Sequence, residues 1–201
     1  VADTFILHSA GANDIFFLKL DANGNFLWAN QLYGGTMGTK QTNDLDIDVN
    51  GNIYATGTFS ANLDMDPSPG TLTFTPVGSS DGFVIKMNAN GDLQYAHQFG
   101  SLSSDLGSEI LLDDFGKYYL VGKFADTMDF DPGVGVTEII PEAFDGFVAV
   151  FDTLGTFESV TKIGGPSNWE GISDLIFSPD RNELLMTGTF EDSVDFNPNG
   201  S

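Results

Sequence analysis

With 201 residues and a hydrophobic share of 41%, the chain is long enough to bury a core as one or two domains, and its 18 phenylalanines exclude a disordered acidic tail. A formal charge of -22 repels nucleic-acid phosphates and anionic membrane surfaces, so nucleic acid is excluded as a partner class, and no apolar run of ~18 residues offers a membrane insertion segment. Cysteine is absent, which removes disulfides and thiolate metal sites, and the acids are mostly aspartate, a residue of turns and hard-cation coordination rather than of helix surfaces.

In chain order, Val1 stands first with no basic, apolar leader after it, so the chain reads as a processed protein or an excised fragment. "DIFFLKLDANGNFLWANQLYGG" from Asp14 is then two strand-like runs around an Asp-Ala-Asn-Gly turn. "DLDIDVNGNIYATGTF" from Asp44 repeats that design, and "GTFSANLDMDPSPG" from Gly57 closes the unit with aspartates and prolines. The same three landmarks return as "DGFVIKMNANGDLQYAHQFG" from Asp81, "SEILLDDFGKYYLVGKF" from Ser108 and "GKFADTMDFDPGVG" from Gly122. They return again as "DGFVAVFDTLGTFESVTKIGG" from Asp145, "SDLIFSPDRNELLMTGTF" from Ser173 and "GTFEDSVDFNPNGS" from Gly188. The repeat has a period of about 65 residues, with units at 14–80, 81–144 and 145–201, and 1–13 matches the segment that would follow 201. Each unit is two hairpins and so four strands, and no apolar 3.6-residue period runs for three turns.

Four antiparallel strands per repeat is the blade of a β-propeller; a β-solenoid, the structural rival, has shorter coils of ~20 to 30 residues. The "DGFVAVFD" hairpin, the "SEILLDDFGKYYLVGKF" pair and the "DFDPG" loop resemble the bacterial β-propeller repeat known as the SBBP repeat, over essentially the whole chain. The resemblance implies an all-β chain of propeller blades from a large secreted or surface protein. It also implies that the Asp44-type hairpin is inner and the Asp14-type hairpin outer. On that order there are two whole blades, Asp44 to Gly100 and Asp105 to Gly165, plus two complementary half blades, Asp14 to Gly34 and Asp174 to Phe190. Pro67 precedes Asp81 by 14 positions and Pro132 precedes Asp145 by 13, while joining tail to head gives 17. Three blades are fewer than the ~4 to 8 of known rings, so the expectation is a homodimer completing a six-bladed ring, or membership of a longer propeller.

Asp64 and Asp66, Asp129 and Asp131, and Asp195 with Asn197 stand two positions apart ahead of Pro67, Pro132 and Pro198. In extended backbone that spacing puts both carboxylates on one face, where they repel unless a cation or hydrogen-bond donors compensate. Ca2+ is the candidate cation, and capping of a loop by backbone N–H groups is the competing reading. Asp44, Asp46 and Asp48 alternate with Leu45, Ile47 and Val49, as either a solvated strand face or an axial acidic ladder. Trp169, flanked by Asn168 and Glu170 in an inter-blade loop, is the candidate ligand-binding set, with burial of the indole as the alternative.

Catalytic residues are not expected. His8 and His97 are the only imidazoles and fall in no metal-ligand spacing, and no nucleophile elbow, P-loop or dinucleotide fingerprint occurs. The functional expectation is a noncatalytic extracellular interaction module of a bacterial surface or secreted protein, serving adhesion or assembly with a protein or glycan partner. A lectin-like propeller is the second expectation and a propeller hydrolase the third.

Overall fold

The computed structural model describes residues 4–9, 11, 13–166 and 170–197. In chain order the strands are β1 (Ile15–Leu20), β2 (Phe26–Leu32), β3 (Lys40–Ile47), β4 (Ile53–Phe59), β5 (Leu63–Asp64) and β6 (Thr73–Phe74). They continue as β7 (Asp81–Met87), β8 (Leu93–Phe99), β9 (Leu106–Leu112), β10 (Lys117–Phe124), β11 (Met128–Asp129) and β12 (Glu138–Ile139). The last are β13 (Asp145–Asp152), β14 (Phe157–Ile163), β15 (Gly171–Phe177) and β16 (Leu184–Thr189). The described residues form an all-β fold without helices, and every paired strand is antiparallel.

Two complete four-stranded sheets occupy the middle. Sheet A has the order β3-β4-β7-β8 and sheet B the order β9-β10-β13-β14, each made of two successive hairpins. β1-β2 and β15-β16 stand as separate two-stranded hairpins at the two ends. β5-β6 and β11-β12 are short arms that the aspartate–proline segments fold into, rather than the extended run expected from the sequence.

Turn chemistry sets the hairpins. Asp21 accepts the N–H of Asn23 and of Asn25, both at 2.8 Å, and Gly24 takes the positive φ of 83° that a side chain would resist. Asp48, Asp113 and Asp152 close their turns in the same way, and Asn88 does so with its amide oxygen. Asp48 lies just past β3, so it caps a turn and is not the third rung of a strand face.

β7 and β13 are nearly continuous apolar runs because both faces are covered, whereas β3 alternates, as an edge strand should. Three apolar clusters lie between successive layers. Ile15, Phe17 and Leu32 pack on Ile53, Phe59 and Phe83; Tyr54, Val84 and Phe99 on Ile110, Tyr118 and Phe151; Val121 and Val148 on Ile172 and Leu175. β3 lies beside β9, and β9 beside β15, so the first strands of successive layers are neighbours. Burying each such Phe or Leu side chain contributes about 1.5–3 kcal/mol.

Candidate functional site

The described acids are organised around backbone N–H groups. In the three hairpins β3-β4, β9-β10 and β15-β16 the first strand carries a bulge at the same place, between Thr42 and Asp44, opposite Val121/Gly122, and between Ile172 and Asp174. The extra residue re-aims the acid that follows it. Asp44 accepts the N–H of Ile110 at 3.0 Å and Asp46 that of Leu112 at 2.8 Å, on the edge strand of sheet B. Glu109 accepts the N–H of Leu175 at 2.8 Å, so the Asp44 bond recurs one repeat on, again over 66 residues. The acidic ladder thus serves as a clamp that satisfies the outward donors of the next sheet's edge. Burial, then the hydrogen bond and like charge of Asp174 and the charge of Asp44, push the Glu109 carboxyl up to about 7 against the bond from Leu175.

A second recurring contact joins the hairpins β1-β2, β7-β8 and β13-β14. Lys19 Nζ and Trp28 Nε1 donate to the Ala89 carbonyl at 2.8 and 3.3 Å, and Asn30 donates to the Gly91 carbonyl at 2.8 Å. One repeat on, Lys86 donates to the Thr153 carbonyl at 2.5 Å and His97 Nε2 to the Gly155 carbonyl at 3.1 Å. Lys86 Nζ also stands 4.9 Å from the Tyr54 ring centre, a cation–π contact. Burial holds the His97 pKa below the usual imidazole value, partly countered by its bond to Gly155.

Carboxylates that sequence reasoning left as mere landmarks are buried anchors. Asp81 accepts from Val77 N–H at 3.0 Å and from the Gln98 amide at 2.5 Å, and Asp145 pairs with Lys162 at 3.0 Å. Asp14 takes the same position against Gln31 at 2.7 Å. The signal was available, since each of β1-β2, β7-β8 and β13-β14 opens on Asp before an apolar run. At the start of β3-β4, β9-β10 and β15-β16, Lys40, Asp105 and Glu170 are all buried at equivalent positions. Lys40 Nζ donates to the Asn13 and Gly35 carbonyls at 3.2 and 2.6 Å, whereas Asp105 accepts Ser101 N–H at 2.6 Å and Ala125 N–H at 3.2 Å.

The predicted loop residues split into local turns. Asp64 accepts the N–H groups of Asp66 and Leu72 at 3.1 and 2.8 Å, and Asp66 accepts that of Ser68 at 2.9 Å. Asp129 and Asp131 repeat this with Asp131, Thr137 and Gly133, and Asp195 accepts the N–H of Asn197 at 2.8 Å. Among the described residues no three His, Cys, Asp or Glu side chains gather as a metal cluster. In each aspartate one oxygen is committed to the turn, so any cation there would draw on the remaining oxygens and on backbone carbonyls. Asn168, Trp169 and Pro198 lie outside the described residues; Glu170 is buried, with its N–H donating to the Phe144 carbonyl at 3.1 Å. Comparison with protein-family models and with curated proteins finds no match.

Proposed function

We propose that the chain is a noncatalytic structural and interaction module of β-propeller blades, in a bacterial secreted or surface protein that serves adhesion or assembly with a protein or glycan partner. The observation that carries this reading is the clamp repeated at one-repeat spacing, Asp44 to Ile110 and Glu109 to Leu175. A bond that recurs between equivalent strands of successive sheets stacks the units in one repeated geometry, which supports radial stacking about an axis with β3, β9 and β15 innermost. It also spends the acids on architecture. Glycoside hydrolysis needs two carboxyls about 5 Å or more apart across a cleft, whereas Asp44, Asp46 and Glu109 are each committed to a backbone N–H of the neighbouring strand.

A density map of the purified protein tests the reading: sheets arranged radially with β3, β9 and β15 at the axis support it, and stacked solenoid coils sink it. Turnover of a polysaccharide or ester library replaces it with the hydrolase, and glycan-array binding lost in Trp169→Ala replaces it with the lectin. Calcium enters only as a stabiliser of the three aspartate–proline loops. A rise in Tm on adding calcium that chelator reverses supports that role, and an unchanged melting curve removes it.

A further inference from the structure

The two end hairpins stand as separate two-stranded sheets that correspond in the repeat to the two halves of sheet A or B, and each exposes apolar side chains. In sheet B, Phe124, Phe130 and Phe147 form a closed trio, with ring centres 5.3 Å apart for Phe124–Phe130 and 4.9 Å for Phe130–Phe147, all three buried. The Phe147 ring lies over Gly122, where a Cβ would sit 2.9 Å from it, and the Phe83 ring lies over Gly57 in the same way. At the last hairpin the trio is two-thirds built. Phe190 and Phe196 meet edge to face at 5.5 Å but are 56% and 65% exposed, and among the described residues the three atoms nearest a Cβ at Gly188 are backbone atoms of Gly171 and Ile172, not a ring. A cleft of roughly 450 Å³ lies there, lined by Ile172, Met186, Gly188, Phe190, Val194 and Phe196.

The missing ring is at the other end of the chain. Phe16 holds the position of Phe83 and Phe147 in the repeat and is 65% exposed. Leu18 and Leu20, which match Ile85 and Met87, are also exposed, whereas those two are fully buried. Beside them, Leu45 and Ile47 on β3 are exposed and line a second apolar cleft of roughly 580 Å³ with Phe16, Leu18 and Trp28. Charge avoids the two strand edges: β1 carries only Lys19 and β16 none, in a chain with 29 acids.

We infer that β16 of one chain pairs antiparallel with β1 of a second copy, in the register that joins β10 to β13. That register, Phe124↔Asp145 through Leu120↔Ala149, sets Phe190 opposite Asp14, Gly188 opposite Phe16 and Met186 opposite Leu18. Phe16 then completes the ring trio, the incoming inner hairpin fills the cleft over Leu45 and Ile47, and Asp174 reaches the Leu45 N–H as Glu109 reaches that of Leu175. Because each chain carries both the ring and its socket, two copies close under a two-fold axis and leave neither edge unpaired. The inference rests on the blade reading proposed above.

The native chain has no cysteine, which makes the register directly testable. The variant Leu18→Cys with Met186→Cys should oxidise to a disulfide-linked dimer, because paired positions face each other at ~5 Å. Lys19→Cys with Met186→Cys, one residue out of register, should not. Light scattering of the unmodified protein at micromolar concentration should give twice the chain mass of 21.6 kDa, and Phe16→Asp should return it to one. Leu18, Met186 and Phe16 are all at least partly exposed in the single chain, so these variants should keep its all-β circular dichroism. A monomer in solution, or crosslinking indifferent to register, overturns the pairing while leaving the module reading to its own density map.

Discussion

The interface between sheets A and B and the interface between sheet B and the last hairpin solve one problem with different chemistry. Between A and B, two carboxylates clamp two edge N–H groups, and aromatic rings meet across the gap, Phe99 with Phe151 at 5.7 Å and Tyr54 with Tyr118 at 5.6 Å. Between B and the last hairpin, Leu111 stands where Asp46 stood, Glu109 supplies the clamp, and the smaller Ile172 and Leu175 form the buried apolar contact, with a single ring pair, Tyr119 edge-on to Phe177 at 5.3 Å, beside them among the described residues. Arg181 adds a tie to the Asp114 carboxylate at 2.9 Å and to the Leu112 carbonyl at 3.4 Å. The clamp after the bulge is therefore the constant element, and the filling between layers is free to vary so long as its volume suits.

Breaking the aromatic filling has the largest expected effect. Phe151→Ala, which strips rings from Phe99 and Tyr118, should cost about 3–5 kcal/mol in denaturant unfolding, against about 0.5–1.5 kcal/mol for Ile172→Val at the other interface. Asp46→Leu copies the second interface into the first. It leaves the Leu112 N–H without its acceptor and should cost about 1–3 kcal/mol, whereas Leu111→Val should cost less.

The pH profile separates the clamps next. Glu109 is held near 7 in the folded chain and has an ordinary value of 4.5, so folding favours its protonated form. Its contribution to stability is complete below 4.5 and declines as pH rises to about 7. Tm across that window should therefore fall less steeply with rising pH in Glu109→Gln than in the unmodified chain. His97 has the opposite sign. Its lowered pKa gives stability that is present above 6.5 and is lost as pH falls, and His97→Asn, which copies Asn30, should remove that acid-side loss while keeping the carbonyl bond. The smallest effect is expected for Lys117→Met, whose exposed pair with Glu158 is screened by solvent, so its denaturation midpoint should match that of the unmodified chain.

Much of the framework was legible because turn chemistry is local. Asp-x-Asn-Gly fixes a hairpin through bonds within four residues, and the apolar runs of β7 and β13 announce strands covered on both sides. The partners of Asp44 and Asp46 were not legible, because an alternating acid looks the same in water and against a neighbouring sheet. Which holds depends on a bulge at Asn43 and on a strand 66 residues away. The aspartate–proline loops were read as extended when Asp64 and Asp129 instead bond N–H groups eight residues on, folding the segment into its own short arm. Glu170 was grouped with a loop aromatic, and nothing in "NWEG" shows that its counterparts are the buried Lys40 and Asp105.

That last position has a consequence for how the chain avoids tangling. Three units of one design invite a slip of one whole unit during folding, with the wrong hairpin threading into the wrong slot. Lys40 sits in a nest of carbonyl oxygens and Asp105 in a nest of amide hydrogens, so either one misplaced would meet its own sign of charge in the dry interior. A base in the first unit and acids in the second and third, at one hidden site, make the first unit a key that neither of the other two slots accepts.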